Sequence, residues 1–379
     1  LINKLKLLTV VGTRPEIIRL SSVMKVCDKV FNHVVAHTGQ NYDYELNEIF
    51  FDDLGLRKPD HFMNADVSSL GATVGDIFRK TEEILRLEKP DAMLVLGDTN
   101  SCLSAYMAKR LRVPVYHMEA GNRCFDLNVP EEINRKVIDN LADFNLVYTE
   151  HARRNLLNEG FPSRRIYLTG SPMNEVLRDN LEKITSSKIL AELSLKPGNY
   201  FVVSVHREEN IDNIDNLKQI LSGLTELAEA QNLPVVVSTH PRTRKRLESI
   251  EGLMLPENIL FMKPFGFSDY VHLQMNSKCT ISDSGTISEE SAILGFPAIT
   301  IRNAMERPEA MDTGSIILSG LNSENVLRSV NFVMNNEHEI TNRPKDYEIP
   351  NTSERVVKII LGTAGLSNSW NGISGGLNV

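Results

Sequence analysis

Acidic side chains stand at two points where an apolar run gives way to turn-forming residues and at a third where a helix is expected to start. They are Asp98 in Leu96-Gly97-Asp98-Thr99-Asn100, Glu119 in Tyr116-His117-Met118-Glu119-Ala120-Gly121-Asn122-Arg123, and Glu131 in Pro130-Glu131-Glu132-Ile133-Asn134-Arg135. Asp98 reads two ways, as a general base or as the cap of a following helix, whose free N–H groups an Asp oxygen satisfies. Glu119 follows the next apolar run, so adjacent strand ends would make it a neighbour of Asp98. Two carboxylates facing one crevice repel, and one of them then tends to hold a proton, as acid/base work requires. Glu131, returning to the same end, would complete an acid cluster accompanied by Arg123 and Arg135. Glu132 and Lys136, four apart on another face, read as a first-turn acid with an ordinary basic partner. Groups of opposite sign gathered in this way suit a place where a proton leaves and returns.

Cations and turn residues recur at other run ends. Gly12-Thr13-Arg14-Pro15-Glu16 predicts a tight turn into a helix with Pro15 in its first turn, N–H groups for an anion, and Arg14 as an extra donor. The plain alternative is a βα turn with Arg14 in solvent. His206 and Arg207 end one later run and His240 another. His206 is either a satisfied core histidine or, beside Arg207, a group facing the crevice. In Asp283-Ser284-Gly285-Thr286-Ile287-Ser288-Glu289-Glu290, backbone N–H groups and the Ser284 hydroxyl would cradle a phosphate, and Glu290 would accept the hydroxyls of a ribose. Capping by Ser284 would use the same N–H groups. Arg307, in Met305-Glu306-Arg307-Pro308, follows a strand with its role open. Neither GxGxxG after the first strand, nor GxxxxGK[ST], nor Tyr-x-x-x-Lys occurs, so neither a nicotinamide site nor a P-loop is supported.

The elements that must position these groups alternate: short β-branched runs, then longer amphipathic stretches, the pattern of βα units on parallel sheets. Expected strands are Leu5–Val11, His33–His37, Ala92–Leu96, Val115–Met118, Phe144–Tyr148 and Ile166–Leu168, then Tyr200–His206, Pro234–Thr239, Ile259–Met262, Cys279–Ser282 and Ala298–Ile301. The fold class is therefore α/β, with two consecutive doubly wound units divided between Gly170 and Tyr200, where Gly170-Ser171-Pro172 and Lys196-Pro197-Gly198 punctuate the chain. Ligands are expected in a crevice beyond the strands' carboxyl ends, shared by the two units. A length of 379 residues at 41% hydrophobic fits two such units, and a net charge of −8 argues against binding nucleic acid. Cys27, Cys102, Cys124 and Cys279 lack the spacing of a zinc site or a disulfide framework, which suits a reducing, cytoplasmic setting without a metal. No run reaches the ~20 apolar residues of a membrane span, and the tail Ser367–Val379 is expected to fray.

Taken in order, Gly-Thr-Arg-Pro-Glu at 12–16, Gly-Asp-Thr at 97–99, His-Met-Glu-Ala-Gly at 117–121, Pro-Glu-Glu at 130–132, Asp-Ser-Gly at 283–285 and Glu-Arg-Pro-Glu-Ala at 306–310 resemble the non-hydrolysing UDP-N-acetylglucosamine 2-epimerase family over nearly the whole chain. The resemblance implies two Rossmann-like domains facing across a cleft in the glycosyltransferase-B arrangement. Residues 1–172 would carry the acids, a helix from about Ser353 to Leu361 within residues 353–379 would return to them, and residues 173–352 would bind UDP. It implies elimination of UDP to a 2-acetamidoglycal and re-addition with the proton on the opposite face of carbon 2. Asp98, Glu119 and Glu131 match the family's acidic positions and His206 its catalytic histidine. Arg14, Ser284, Gly285 and Glu290 match nucleotide contacts, and Arg19, Arg123, Arg135, Arg207, His240, Thr286 and Arg307 are the remaining candidate substrate contacts. No cofactor is implied, since no hydride moves, and a homodimer is.

Departures from the family pattern bear on the sugar. Arg19 stands where the glucosamine branch has Lys, Asn122 and Cys124 alter Gly-Leu-Arg-Thr, and Thr286 replaces a second Gly; a flat guanidinium fork does not replace an ammonium point charge. His37–Gly55 and His117–Lys136 look most like the branch that makes UDP-N-acetyl-L-fucosamine from UDP-2-acetamido-2,6-dideoxy-L-talose, with the UDP-GlcNAc/UDP-ManNAc pair as the alternative. A glycosyltransferase using a UDP-sugar shares the scaffold but needs chiefly one base, hydrolytic release of UDP differs only in water access, and a sensor needs no acid cluster.

Overall fold

The structure, a computed structural model, describes residues 3–40, 51–250, 252, 254–335 and 343–373. The chain forms two compact units: residues up to Asp179 together with those from Glu348 onward, and Asn180–Tyr347.

In the first unit, β1 (Lys6–Val11), β2 (Asn32–His37), β3 (His61–Phe62), β4 (Ala92–Leu96), β5 (Val115–Met118), β6 (Phe144–Val147) and β7 (Ile166–Leu168) form one sheet among the described residues. Its order is β3-β2-β1-β4-β5-β6-β7 and every pairing is parallel. Both faces of such a sheet are covered, so its strands read as near-continuous apolar runs: Leu7, Leu8, Val10 and Val11 on β1 are buried, as are all five residues of β4. Strand order reverses between β1 and β4, which puts a topological switch point at their carboxyl ends, beside Gly12 and Gly97. The long helix Arg14–Val30 and the helix Thr352–Trp370 pack together in this unit. The latter buries Val356, Val357, Ile360 and Ala364. Polar contacts fix it as well: Tyr116 Oη and Thr363 Oγ1 lie 2.7 Å apart, and the Ser353 N–H donates to Glu175 at 3.1 Å. Ser367–Trp370, expected to fray, belong to this helix, because apolar anchoring on its inner face outweighs the polar composition of its end; residues 374–379 lie outside the described residues, as does 41–50 of the stretch His37–Gly55.

The second unit repeats the plan. Strands β8 (Phe201–Ser204), β9 (Val235–Ser238), β10 (Ile259–Met262), β11 (Cys279–Ser282), β12 (Ala298–Thr300) and β13 (Ile317–Leu318) are ordered β10-β9-β8-β11-β12-β13, all parallel. Its core gathers Phe201, Val203, Val235, Val237, Ile281 and Ile299 beneath the helix Ile214–Gln231, whose start is capped by the Asn213 side chain. The switch point lies between β8 and β11, where His206 and Asp283 emerge.

Candidate active site

At the first unit's switch point the backbones are packed as closely as glycine permits: a Cβ on Gly12 would fall 2.3 Å from Thr38 Oγ1 and 2.9 Å from Ser101 Cβ. The helix after it starts as the sequence suggests, with Thr13 at the cap position and proline in the first turn. One of the N–H groups expected to meet an external anion is already engaged, since Gly12 N–H donates to Glu16 Oε2 at 2.6 Å. Glu16 also accepts from the Ser101 hydroxyl, at 2.9 and 2.8 Å, and from Thr99 Oγ1. Burial pushes its carboxyl up in spite of these bonds, which by themselves lower it. Arg14 is half-buried at the start of the helix.

Asp98 does not cap a helix. The short 3₁₀ helix Asn100–Ser104 follows Thr99, with no side-chain cap. Its carboxylate instead accepts from Arg135, with Nε at 3.0 Å and Nη2 also in contact, and Asn134 Nδ2 donates to its carbonyl at 2.9 Å. Arg135 is buried, and its Nη1 donates to Glu132 Oε2 at 2.6 Å. Glu132 has no exposed surface and accepts further from the Cys124 N–H at 3.1 Å and thiol at 3.3 Å. Glu132, read as a first-turn acid with Lys136 as an ordinary partner, keeps that contact at 3.8 Å, but the reading is corrected in that it is also a buried member of the cluster, while Glu131 is half-buried. The reason is helical phase. With the helix beginning at Pro130, its inner face is Glu132, Arg135, Ile138 and Asp139.

Glu119 holds φ at +66°, the left-handed region that costs a residue with a Cβ about 1–3 kcal/mol. Its carboxylate pairs with Arg19, both side chains being almost buried, and accepts weakly from Asn122 Nδ2 at 3.4 Å. One of its oxygens lies 3.7 Å from where a Cβ on Gly97 would project, so it sits against the turn that carries Asp98. The structure thus brings Asp98, Glu119, Arg19, Glu132 and Arg135 to one end of one sheet. Arg123 is not part of that surface. Its guanidinium is fully enclosed, donating to Asp139 at 2.7 Å, to both Glu159 oxygens at 2.7 and 2.6 Å and to the Asn122 carbonyl at 2.7 Å, so it acts within the protein rather than as a substrate contact.

In the second unit His206 is 43% exposed in its side chain, with Nδ1 3.1 Å from Asp283 Oδ1. Asp283 is fully buried and also accepts from the backbone N–H groups of His206 and Arg207, at 3.1 and 3.0 Å, and from Asn210 Nδ2 at 3.0 Å. Burial alone would raise this carboxyl; the charge and hydrogen bonds of His206, with those of Asn210 and Arg207, outweigh it and hold it down at about 2. Asp283 therefore orients His206, a role the sequence did not reveal because the partners are far apart in the chain. Ser284 is not the helix cap: the helix Ile287–Leu294 starts after Thr286, and Ser284 Oγ lies 3.0 Å from Thr286 Oγ1 and accepts its N–H at 3.3 Å. Gly285 packs near Glu306 and Arg207. Glu290 is buried and accepts from Gln274 at 3.0 Å. Arg207 donates to the Asp283 carbonyl at 3.0 Å and to Glu306 at 3.1 Å, and Arg307 to Glu289 at 2.7 Å and to the Gly285 carbonyl. Both arginines, read as substrate contacts, are thus engaged in building the turn. His240 is exposed and caps the helix Pro241–Glu248 by accepting from the Arg242 N–H at 3.3 Å. Among the described residues no group of His, Cys, Asp and Glu is placed to hold a metal ion, and no helix is long and apolar enough to cross a membrane.

Two doubly wound parallel sheets, one with ion-paired carboxylates at its switch point and the other with a His–Asp pair and a Ser-Gly turn at its own, define a two-unit Rossmann-like α/β protein, a class whose ligands bind beyond the carboxyl ends of the strands. The model of the UDP-N-acetylglucosamine 2-epimerase family matches residues 25–361, and the chain belongs to that family, isomerases of the non-hydrolysing type that epimerise a UDP-sugar at carbon 2. Among similar proteins, a structure of UDP-N-acetylglucosamine 2-epimerase from Rickettsia bellii is 47% identical, with a TM-score of 0.91 over 97% of this chain and 98% of that one. The Methanocaldococcus jannaschii UDP-GlcNAc 2-epimerase, solved in complex with UDP-GlcNAc and UDP, is 33% identical, with a TM-score of 0.87 over 94% of this chain and 99% of its own. A Pseudomonas aeruginosa relative, UDP-2,3-diacetamido-2,3-dideoxy-D-glucuronate 2-epimerase, is 34% identical over 86% of this chain and 91% of its own.

Proposed function

We propose that this enzyme interconverts UDP-2-acetamido-2,6-dideoxy-L-talose and UDP-N-acetyl-L-fucosamine, by elimination of UDP and re-addition to the other face. A base takes the proton from carbon 2 while the C1–O bond breaks, its electron pair leaving with UDP. The resulting 2-acetamidoglycal then takes UDP back at carbon 1, with the proton delivered to the opposite face of carbon 2. The carbon-bound proton is barely acidic, so departure of UDP must lead and the positive charge developing on the ring needs nearby carboxylates. Asp98, Glu119 and Glu131 are assigned to proton transfer and to that charge, and His206, held by Asp283, to the leaving phosphate. Arg14, Ser284, Gly285, Thr286 and Glu290 are assigned to the nucleotide.

The observation that carries this reading is the pair of carboxylates at adjacent strand ends, each anchored by a buried arginine: Asp98 by Arg135 and Glu119 by Arg19. Such anchoring fixes direction, which proton transfer at a set distance requires. The fucosamine assignment rests on the sequence likeness of the stretches His37–Gly55 and His117–Lys136 and on departures from the glucosamine branch such as Arg19. The diacetamido-glucuronate relative supports a family in which the sugar varies around shared carbon-2 chemistry. The relatives named for UDP-N-acetylglucosamine favour a second reading, in which the pair is UDP-GlcNAc and UDP-ManNAc. We place the enzyme in the cytoplasm, as a homodimer, supplying a sugar for capsule or O-antigen polysaccharide. Incubation with each UDP-sugar in heavy water, followed by NMR and mass spectrometry, tests the proposal: deuterium at carbon 2 identifies reaction and sugar together. Asp98→Asn and Glu119→Gln should abolish exchange with UDP binding retained, while Arg14→Ala weakens UDP binding. Equal loss of UDP binding in all three would refute the assignment.

A further inference from the structure

Beneath the turns of Asp98 and Glu119 lies a charged network that the proposed chemistry leaves unassigned. His117, on β5, has no exposed surface, and both of its ring nitrogens are engaged: Nε2 is 2.8 Å from the Gly97 carbonyl and Nδ1 is 2.9 Å from Asp139 Oδ1. Gly97, with φ at +76°, is the residue that turns β4 into Asp98. Asp139 also accepts from the Gly121 N–H, at 3.3 and 3.2 Å to its two oxygens, and from Arg123 Nη1 at 2.7 Å. Gly121 follows Glu119 by two residues and has φ at +79°. A Cβ there would fall 2.4 Å from the Ala152 carbonyl, so this turn is confined from outside as well. Through one His–Asp pair, the backbone just before Asp98 and just after Glu119 is tied to the same point.

The sheet does not need this tie. β4 and β5 are paired in register up to Leu96 and Met118, and the Gly97 N–H still donates to the Met118 carbonyl at 3.0 Å. The ladder ends there. His117 takes the next carbonyl, beyond the last rung, where the chain leaves the sheet to present Asp98. Asp139 lies on the helix Pro130–Leu141, whose Arg135 and Asn134 hold the Asp98 carboxylate and carbonyl, so one helix anchors both turns. Arg123, closed off by Glu159, balances the charge of Asp139.

We infer that His117 and Asp139 are positioning residues for the epimerisation, setting the two acids relative to each other; this rests on the acid/base role proposed above for Asp98 and Glu119. A misplacement of about 1 Å at a reacting group costs on the order of 100-fold in rate. The two arms separate by substitution, since an Asn amide nitrogen stands near the place of Nδ1 and a Gln amide nitrogen near that of Nε2. His117→Asn keeps the Asp139 arm and releases the Gly97 carbonyl; His117→Gln does the reverse.

The experiment measures kcat and KM for deuterium exchange into UDP-N-acetyl-L-fucosamine, with UDP-N-acetylglucosamine as a second probe, together with UDP affinity and the thermal midpoint, for both variants and for the near-isosteric Asp139→Asn. The expected result is a fall in kcat of about 30- to 100-fold in all three, with KM and UDP affinity within about two-fold of wild type. Unchanged kcat in variants that fold, or parallel losses of kcat, UDP affinity and thermal midpoint, would overturn the inference. Failure of all three to fold would also overturn it, by assigning the pair to stability. Asp98→Asn and Glu119→Gln, assayed alongside, separate the two claims: if they retain exchange, the acid/base reading fails; if they lose it while the His117 variants keep it, the positioning role alone fails.

Discussion

Replacing Glu119 by Gln is expected to cost about 3 kcal/mol of folding stability in the first unit, independently of its effect on turnover. Glu119 and Arg19 are paired with side-chain exposures of only 5% and 10%. Taking the charge from one member of a buried pair costs about 3–5 kcal/mol, because the other stays desolvated without its counter-charge. The low end applies here, since Gln keeps an oxygen for the guanidinium. Arg19→Met alone should cost a similar amount. The double variant should cost little more than either, because the buried charges are removed together, so the cycle should give a coupling of about 3 kcal/mol. The strain of the left-handed Glu119 backbone is present in all four proteins and cancels. The chain's single tryptophan makes the assay specific: Trp370 packs edge-on to Phe144, ring centroids 6.2 Å apart, within the same unit. Its fluorescence through urea unfolding therefore follows that unit. If the two single-variant costs sum to that of the double within about 0.5 kcal/mol, the pair is not coupled and the argument for anchoring Glu119 through Arg19 fails.

Two further outcomes follow from the geometry. Asp283 is held at about 2 in the folded protein against about 3.9 when unfolded, a difference of nearly two units or about 3 kcal/mol. Since its folded value is depressed, this stability is fully present above pH ~4 and is lost as the pH falls toward ~2. Hydrogen exchange of the second unit's strand amides should show the gap between wild type and Asp283→Asn closing over that window, and a gap independent of pH would disprove the linkage. Gly121→Ala meets both a φ of +79° and the Ala152 carbonyl at 2.4 Å, whereas Gly75→Ala, on the helix Leu70–Glu88, meets nothing within 4 Å. The first should destabilise by more than about 2 kcal/mol and the second should stabilise by up to about 1 kcal/mol, in the same Trp370 assay.

The strands were legible because a parallel sheet covered on both faces leaves long β-branched runs; Ala92–Leu96, Val115–Met118, Ile166–Leu168, Ile259–Met262 and Cys279–Ser282 fall as read. The others shift by one or two residues where a strand frays into its turn. The edge strands His61–Phe62 and Ile317–Leu318 were not legible, since two residues carry no period. At the site, residue types at strand ends could be read, but partners could not. Glu132 and Glu131 differ only in helical phase, which Ile138 and the sheet decide. Arg123 read as a companion of the acid cluster and a substrate contact because Glu159, which closes over it, lies 36 residues away. Asp283 read as part of a phosphate turn, and its grip on His206 spans 77 residues.

The helix Thr352–Trp370 gives the first unit an unusual order of completion. The second unit is contiguous in sequence, so it can finish folding on the ribosome while its elder sibling still waits for its last piece. Until that piece emerges, the Tyr116 hydroxyl and the Glu175 carboxylate lack the groups they grip in the finished molecule. A premature stop just before Glu348 would therefore spare the half translated later and cripple the half begun first.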